Sequence, residues 1–162
     1  MREYQRYATI FAVFAAVLYA ALIVAAFGLI SLATNLDVIN EPDAGPLVGP
    51  SMATAAVLLL LIMLLTLGLN TPPNKQRIAV GFAFATGIAA YGIFIAAGAA
   101  LHAAGDGQPF HVLTFGASML FSPFVLACGV LAFLVALAYS WVLASHQSEH
   151  GRPLWPWERR DD

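Results

Sequence analysis

A chain of 162 residues in which 60% are hydrophobic and only 10% are charged is far more apolar than a soluble domain of that length. Its net charge of -2 and the absence of a basic stripe exclude a nucleic-acid binder. One cysteine, Cys128, excludes a disulfide scaffold. The composition therefore predicts an integral membrane protein.

Four long stretches of the chain contain no charged residue, and each exceeds the roughly 20 residues that a helix needs to cross a hydrocarbon core about 30 Å thick. Backbone groups inside a bilayer must be bonded within the segment, so continuous apolar runs are expected to be helices. We predict an all-α integral membrane protein, a single domain over residues 1–162, with spans near residues 8–32, 51–69, 78–101 and 124–144.

The basic residues lie on one side of this plan. They precede the first span, separate the second from the third, and follow the fourth, at Arg2, Arg6, Lys75, Arg77, Arg152, Arg159 and Arg160. The other two loops contain no Lys or Arg. The positive-inside rule predicts that both termini are cytoplasmic, in a multi-pass protein of the plasma membrane.

The beginning of the chain has a second interpretation. A basic start, an apolar run and the small residues Ser31-Leu32-Ala33 together resemble a secretory signal. A signal has an apolar region of about 7–15 residues, whereas this run is longer, so a retained first span is preferred.

The last uncharged run is too long for one span. Ser122 suits a helix N-cap and Pro123 a first helical turn; on one interpretation the fourth helix starts at Pro123, with residues 110–121 as an interfacial segment. The alternative is one long helix kinked at Pro123. Residues 146–162 are then a cytoplasmic tail.

Small residues at four-residue spacing predict close helix contacts, since helices in lipid associate through such residues. The first span has Ala8, Ala12, Ala16 and Ala20, and the third has Ala79, Ala83 and Gly87, continued by Gly92 and Ala96. These ridges suit packing within the bundle or a homodimer face. Residues 58–65 of the second span contain no small residue, so that helix is expected to be the most exposed to lipid.

No charged residue or histidine falls within the middle of any predicted span, and this disfavours a proton-coupled transporter. A thiol-oxidising enzyme needs paired cysteines, and Cys128 is alone, so it is expected to pack as a small apolar residue. We expect no cofactor.

The histidines offer two further sites. Residues 146–150 match the H-x-x-E-H pattern of a zinc-peptidase class, although only a dozen residues follow for a further ligand. His102 and His111 flank the outer loop close to Asp106. Imidazole and carboxylate groups together can bind zinc, and two histidines can be the axial ligands of a haem. Solvated residues without a metal are the expectation for both sites.

Two tyrosines reach a similar depth near the bilayer midplane, Tyr19 in the first span and Tyr91 in the third. A buried phenol seeks a hydrogen-bond partner, here the other phenol, Thr86 or a backbone carbonyl. Tyr19 and Tyr91 are therefore the first candidates for a polar spot lining an internal cavity.

The chain has six Arg against one Lys, Ala/Gly-rich helices and the closing sequence GRPLWPWERR over residues 151–160. In this plan and tail it resembles the small four-span membrane proteins of actinobacteria that form domain-of-unknown-function families. The resemblance implies a bacterial plasma membrane and no known activity.

The predicted function is that of a non-enzymatic structural or accessory membrane subunit, which assembles in the lipid bilayer with itself or with a membrane-protein partner. The alternative is a channel or carrier for a neutral or apolar solute, with a cavity near Tyr19 and Tyr91. An enzyme that uses His102 and His111 is the third hypothesis.

Overall fold

The computed structural model describes residues 2–36, 48–71, 78–106 and 116–147. These residues form four long helices, each long and apolar enough to cross a membrane, and no strand. The prediction of an all-α membrane protein with four candidate spans is confirmed. The helices are α1 (Arg2–Thr34), α2 (Val48–Asn70), α3 (Val80–Asp106) and α4 (Pro123–Gln147).

The four helices form an antiparallel bundle. Both α1 and α3 contact α2 and α4, while α2 and α4 also touch across the diagonal. At one end, Ala8 near the start of α1 lies beside Gly68 near the end of α2. Towards the other end, the ring of Phe27 on α1 meets those of Phe94 on α3 and Phe124 on α4, at centroid distances of 5.7 and 5.4 Å.

The fourth helix begins at Pro123, after a single helical turn over residues 116–119. The Ser122 amide donates to the Met119 carbonyl at 3.0 Å, and the Ser122 carbonyl accepts the first bond of α4 from Leu126 at 3.1 Å. Ser122 is thus the N-cap residue, and Pro123 follows where a backbone N–H would have no helical partner. Of the two alternatives for this region, the helix starts at Pro123 and does not run through it as a kinked extension; residues 110–115 of the predicted interfacial segment lie outside the described residues.

The small-residue ridge of α1 packs inside the bundle, with Ala8, Ala12 and Ala16 buried and Ala20 half-buried. The continuous ridge predicted for α3 is wrong. Ala83 and Gly87 face the core, whereas Gly92 and Ala96 are exposed. The step from Gly87 to Gly92 is five residues, and five residues rotate a helix of 3.6 residues per turn well past one full turn.

The second helix is not the most exposed one. The same share, 28%, of the apolar windows of α1, α2 and α3 is buried, against 44% for α4. The buried residues of α2 recur every four positions, so its leucines pack as a ridge just as small residues do. They are Met52, Ala56, Leu60, Leu64 and Gly68.

Helices α3 and α4 approach each other to backbone contact at two glycines. A Cβ atom built on Gly87 would lie 2.9 Å from the Gly129 carbonyl oxygen and 3.0 Å from Cβ of Phe133. A Cβ built on Gly129 would lie 3.2 Å from the Gly87 carbonyl oxygen. Glycine at both positions therefore permits this crossing.

Candidate functional site

The phenol of Tyr19 lies at the junction of three helices and is fully buried. Its hydroxyl donates to the backbone carbonyl of Cys128 at 3.0 Å, and the Cys128 sulfur lies 3.0 Å from the same oxygen. The Cys128 thiol in turn lies 3.9 Å from the carbonyl oxygen of Ala90 on α3. This chain of contacts links α1, α4 and α3 near mid-span.

Tyr91 takes a different partner. Its hydroxyl donates to the backbone carbonyl of Leu120, in the segment that precedes α4. Thr86, which is fully buried, donates within its own helix to the Phe82 carbonyl at 2.9 Å. Tyr19 and Tyr91 therefore do not bond to each other or to Thr86. Each phenol donates to a different backbone carbonyl.

A third tyrosine that the sequence analysis did not single out joins α1 to α4. The Tyr139 hydroxyl donates to the Ala8 carbonyl at 3.0 Å. A Cβ atom on Gly68 would lie 2.5 Å from that hydroxyl oxygen, so α2 completes the junction. The sequence signal for this junction was Gly68, a glycine near the end of the leucine-rich helix α2.

Of the two histidines predicted to flank the third loop, only His102 lies among the described residues. His102 is buried, with 8% of its surface exposed, because α3 continues to Asp106 and carries His102 on its last turns. The expectation of a solvated loop residue is wrong for His102. His111 and the H-x-x-E-H segment, with the side chain of His146, lie outside the residues described.

No cluster of three or more His, Cys, Asp or Glu side chains able to hold a metal lies within the described part of the chain. His102 is the only histidine whose side chain is described there.

A groove of about 600 Å³ runs between α3 and α4 on the outside of the bundle. We call it the α3–α4 groove. The two close-packed glycines and the ring of Tyr91 lie along it, and its surface is almost entirely apolar. It is lined by Phe84, Gly87, Ile88, Tyr91, Leu126, Gly129, Val130 and Phe133.

Residues 1–162 match a Family of unknown function (DUF6121). The chain belongs to this family. The predicted resemblance to a family of unknown function is thereby confirmed at the level of the family class. The chain matches no curated protein and no solved structure.

Membership of DUF6121 names no substrate, so the chemistry of the site is read from the residues themselves. The hydroxyls of Tyr19, Tyr91 and Tyr139 donate to backbone carbonyls in other parts of the protein. Such bonds hold helices in register. The α3–α4 groove, by contrast, offers an apolar surface that opens sideways.

Proposed function

We propose that this protein is a non-enzymatic membrane subunit with a structural or accessory role, and that it assembles with a second copy of itself through the outer face of α3. The observation that supports the proposal is a stripe of small residues that are exposed on that face and do not pack against another helix of the same copy. The stripe consists of Gly81, Ala85, Gly92, Ala96 and Ala100, all exposed.

The glycines of the bundle divide into two groups. A side chain at Gly68, Gly87 or Gly129 would meet a neighbouring helix, so these glycines serve internal packing. A Cβ atom on Gly81 or Gly92 of α3, or on Gly28 of α1, would meet nothing within 4 Å. Glycine weakens a helix relative to alanine. Two open glycines on one face of α3, where α1 has the single Gly28, support a contact of the α3 face outside the single copy.

A second copy is the partner that this face fits best. Small residues on one helix face allow two backbones to approach closely in lipid, where packing drives association. The same face on two copies can meet about a two-fold axis, which closes a dimer. Large side chains are exposed on both helices, Leu58 and Ile62 on α2 and Phe84 and Ile88 on α3, but only α3 adds exposed glycines at this face.

Three polar groups of the interior support a structural role. Tyr19, Tyr139 and Thr86 are buried, and each donates to a backbone carbonyl of the chain. Groups bonded in this way stabilise the bundle and are not presented to a substrate.

Disulfide crosslinking in native membranes tests the assembly. In a Cys128→Ala background, Ala96→Cys is expected to give a crosslinked species of twice the mass of the chain. Ile62→Cys, on the exposed face of α2, is the matched control and is expected to stay monomeric. Equal crosslinking at both positions contradicts the proposal, and crosslinking of Ala96→Cys to a different protein replaces the second copy with a partner subunit.

We also propose that both termini are cytoplasmic in a bacterial plasma membrane. The distribution of all seven Lys and Arg residues supports this orientation. Reporter fusions test it: a reporter active only in the cytoplasm is expected to work at the C-terminus and to fail in the loop at residues 37–47. The reverse result overturns the orientation.

The second candidate function is a channel or carrier for a neutral or apolar solute. The α3–α4 groove favours it, because this groove offers an apolar surface large enough for a small apolar molecule. A molecule retained on the purified protein should be lost in Val130→Trp, which fills the groove. Leu134→Trp, an exposed position on α4 outside the groove lining, is the control and should retain it.

A further inference from the structure

A second groove lies on the opposite side of the bundle, between the start of α1 and the end of α2. It has a volume of about 620 Å³ and combines polar with apolar residues. We call it the α1–α2 groove. It is lined by Gln5, Arg6, Thr9, Ile10 and Leu69.

Arg6 supplies the charge of this groove. Among the residues whose side chains the structure describes, Arg6 is the only Lys, Arg, Asp or Glu. Its guanidinium is exposed, and it lies directly beside the apolar side chains of Ile10 and Leu69, which are 65% and 43% exposed. A cation and an apolar surface therefore face outward from one groove.

The length of α2 indicates where the α1–α2 groove lies relative to the hydrocarbon core of the membrane. Its 23 residues span about 35 Å, slightly more than the hydrocarbon thickness of about 30 Å. Leu69, next to the last residue of α2, therefore lies at the boundary between acyl chains and headgroups. Ala8 packs beside Gly68 at this level. On α1, Ile10 therefore lies on the side of the acyl chains. Arg6 lies about 6 Å from Ile10 along the helix axis, on the side of the headgroups.

We propose that the α1–α2 groove binds an anionic phospholipid of the surrounding bilayer. The Arg6 guanidinium and the Gln5 amide N–H groups would contact the phosphate, and an acyl chain would lie along Ile10 and Leu69. A planar guanidinium matches phosphate oxygens with two parallel hydrogen bonds. Thr9 donates its own hydroxyl to the Gln5 carbonyl at 2.8 Å, so it contributes shape and an acceptor oxygen.

This inference does not depend on the proposed dimer, because the α1–α2 groove and the outer face of α3 share no residue. Its failure and the failure of the dimer are therefore seen in separate experiments.

Lipid titration of the full-length protein, followed by native mass spectrometry, tests the site. Phosphatidylglycerol and phosphatidylcholine with identical acyl chains are the two probes. The first molecule of phosphatidylglycerol to bind is expected to bind about fivefold more tightly than the first molecule of phosphatidylcholine. This is the size of the effect that one basic side chain has at a membrane surface. Arg6→Gln is expected to remove this preference.

Arg160→Gln is the matched control, since it removes the same charge from the C-terminal tail, and it should retain the preference. Equal losses in both variants, or no preference in the natural sequence, overturn the proposal.

Glycerol phosphate, the headgroup without acyl chains, should not displace the bound lipid; if it does, the site is one for free anions. A measurement that needs no variant is the salt dependence, because the preference must fall as an exposed charge is screened.

Discussion

The hydroxyl of Tyr19 on α1 donates a hydrogen bond to the backbone carbonyl of Cys128 on α4, 109 positions further along the chain. The bond is fully buried, and the Cys128 thiol lies against both the phenol and α3. It sets the register between the first and last helices at mid-span, where lipid offers no competing hydrogen-bond partner.

Tyr19→Phe removes this bond and is expected to lower the free energy of unfolding by about 0.6–1.5 kcal/mol, the range for one such bond. Unfolding by SDS in mixed micelles, followed by circular dichroism, measures the change. The same substitution in a Cys128→Ala background should cost as much, because the backbone carbonyl remains. Loss of the effect in that background would assign the partner to the sulfur atom.

Gly87→Ala should destabilise the bundle by about 1–3 kcal/mol, because the added methyl group meets the backbone of α4 and cannot be accommodated by a side-chain rotation. Gly28→Ala on α1 is the control, since a Cβ there meets nothing within 4 Å. That control should be neutral or stabilise the helix by up to about 1 kcal/mol. Thermal unfolding of both variants in the same detergent compares them, and similar stability losses would argue against the close approach of α3 and α4.

Gly68→Ala and Tyr139→Phe are expected to be coupled. The alanine methyl group would lie 2.5 Å from the Tyr139 hydroxyl oxygen, and removing that hydroxyl makes room for it. Each single variant should lose stability, Tyr139→Phe through its bond to the Ala8 carbonyl. A double-mutant cycle should give a favourable coupling of about 0.5–3 kcal/mol, and simple additivity would contradict the contact.

Tyr91→Phe should release the segment before α4 without unfolding the bundle. The Tyr91 hydroxyl is bonded to the Leu120 carbonyl, which lies outside the long helices. Hydrogen exchange of amides 116–121 should become faster, while that of the α1 and α2 amides stays unchanged. Tyr19→Phe serves as the control, and faster exchange in that variant at the same amides would remove the specific role of Tyr91.

The sequence by itself determined the number of candidate spans. Uninterrupted apolar runs longer than a bilayer is thick leave the backbone one way to satisfy its hydrogen bonds within the segment. This conclusion requires no knowledge of a neighbouring helix. Ser122 and Pro123 are local signals for a helix start, but they left a continuous kinked helix open, and the structure decided for a start at Pro123.

Only the tertiary structure decided which face of each helix is buried. Helices that are apolar all round show no polar stripe to mark an outer face, so sequence periodicity gave Gly87 and Gly92 the same role although one is internal and the other exposed. The carbonyl partners of Tyr19 and Tyr91, the junction at Tyr139 and the burial of His102 depend on contacts between helices distant in sequence. In a bilayer, hydrophobicity does not distinguish a protein neighbour from a lipid, so these choices follow from shape and hydrogen bonding across the bundle.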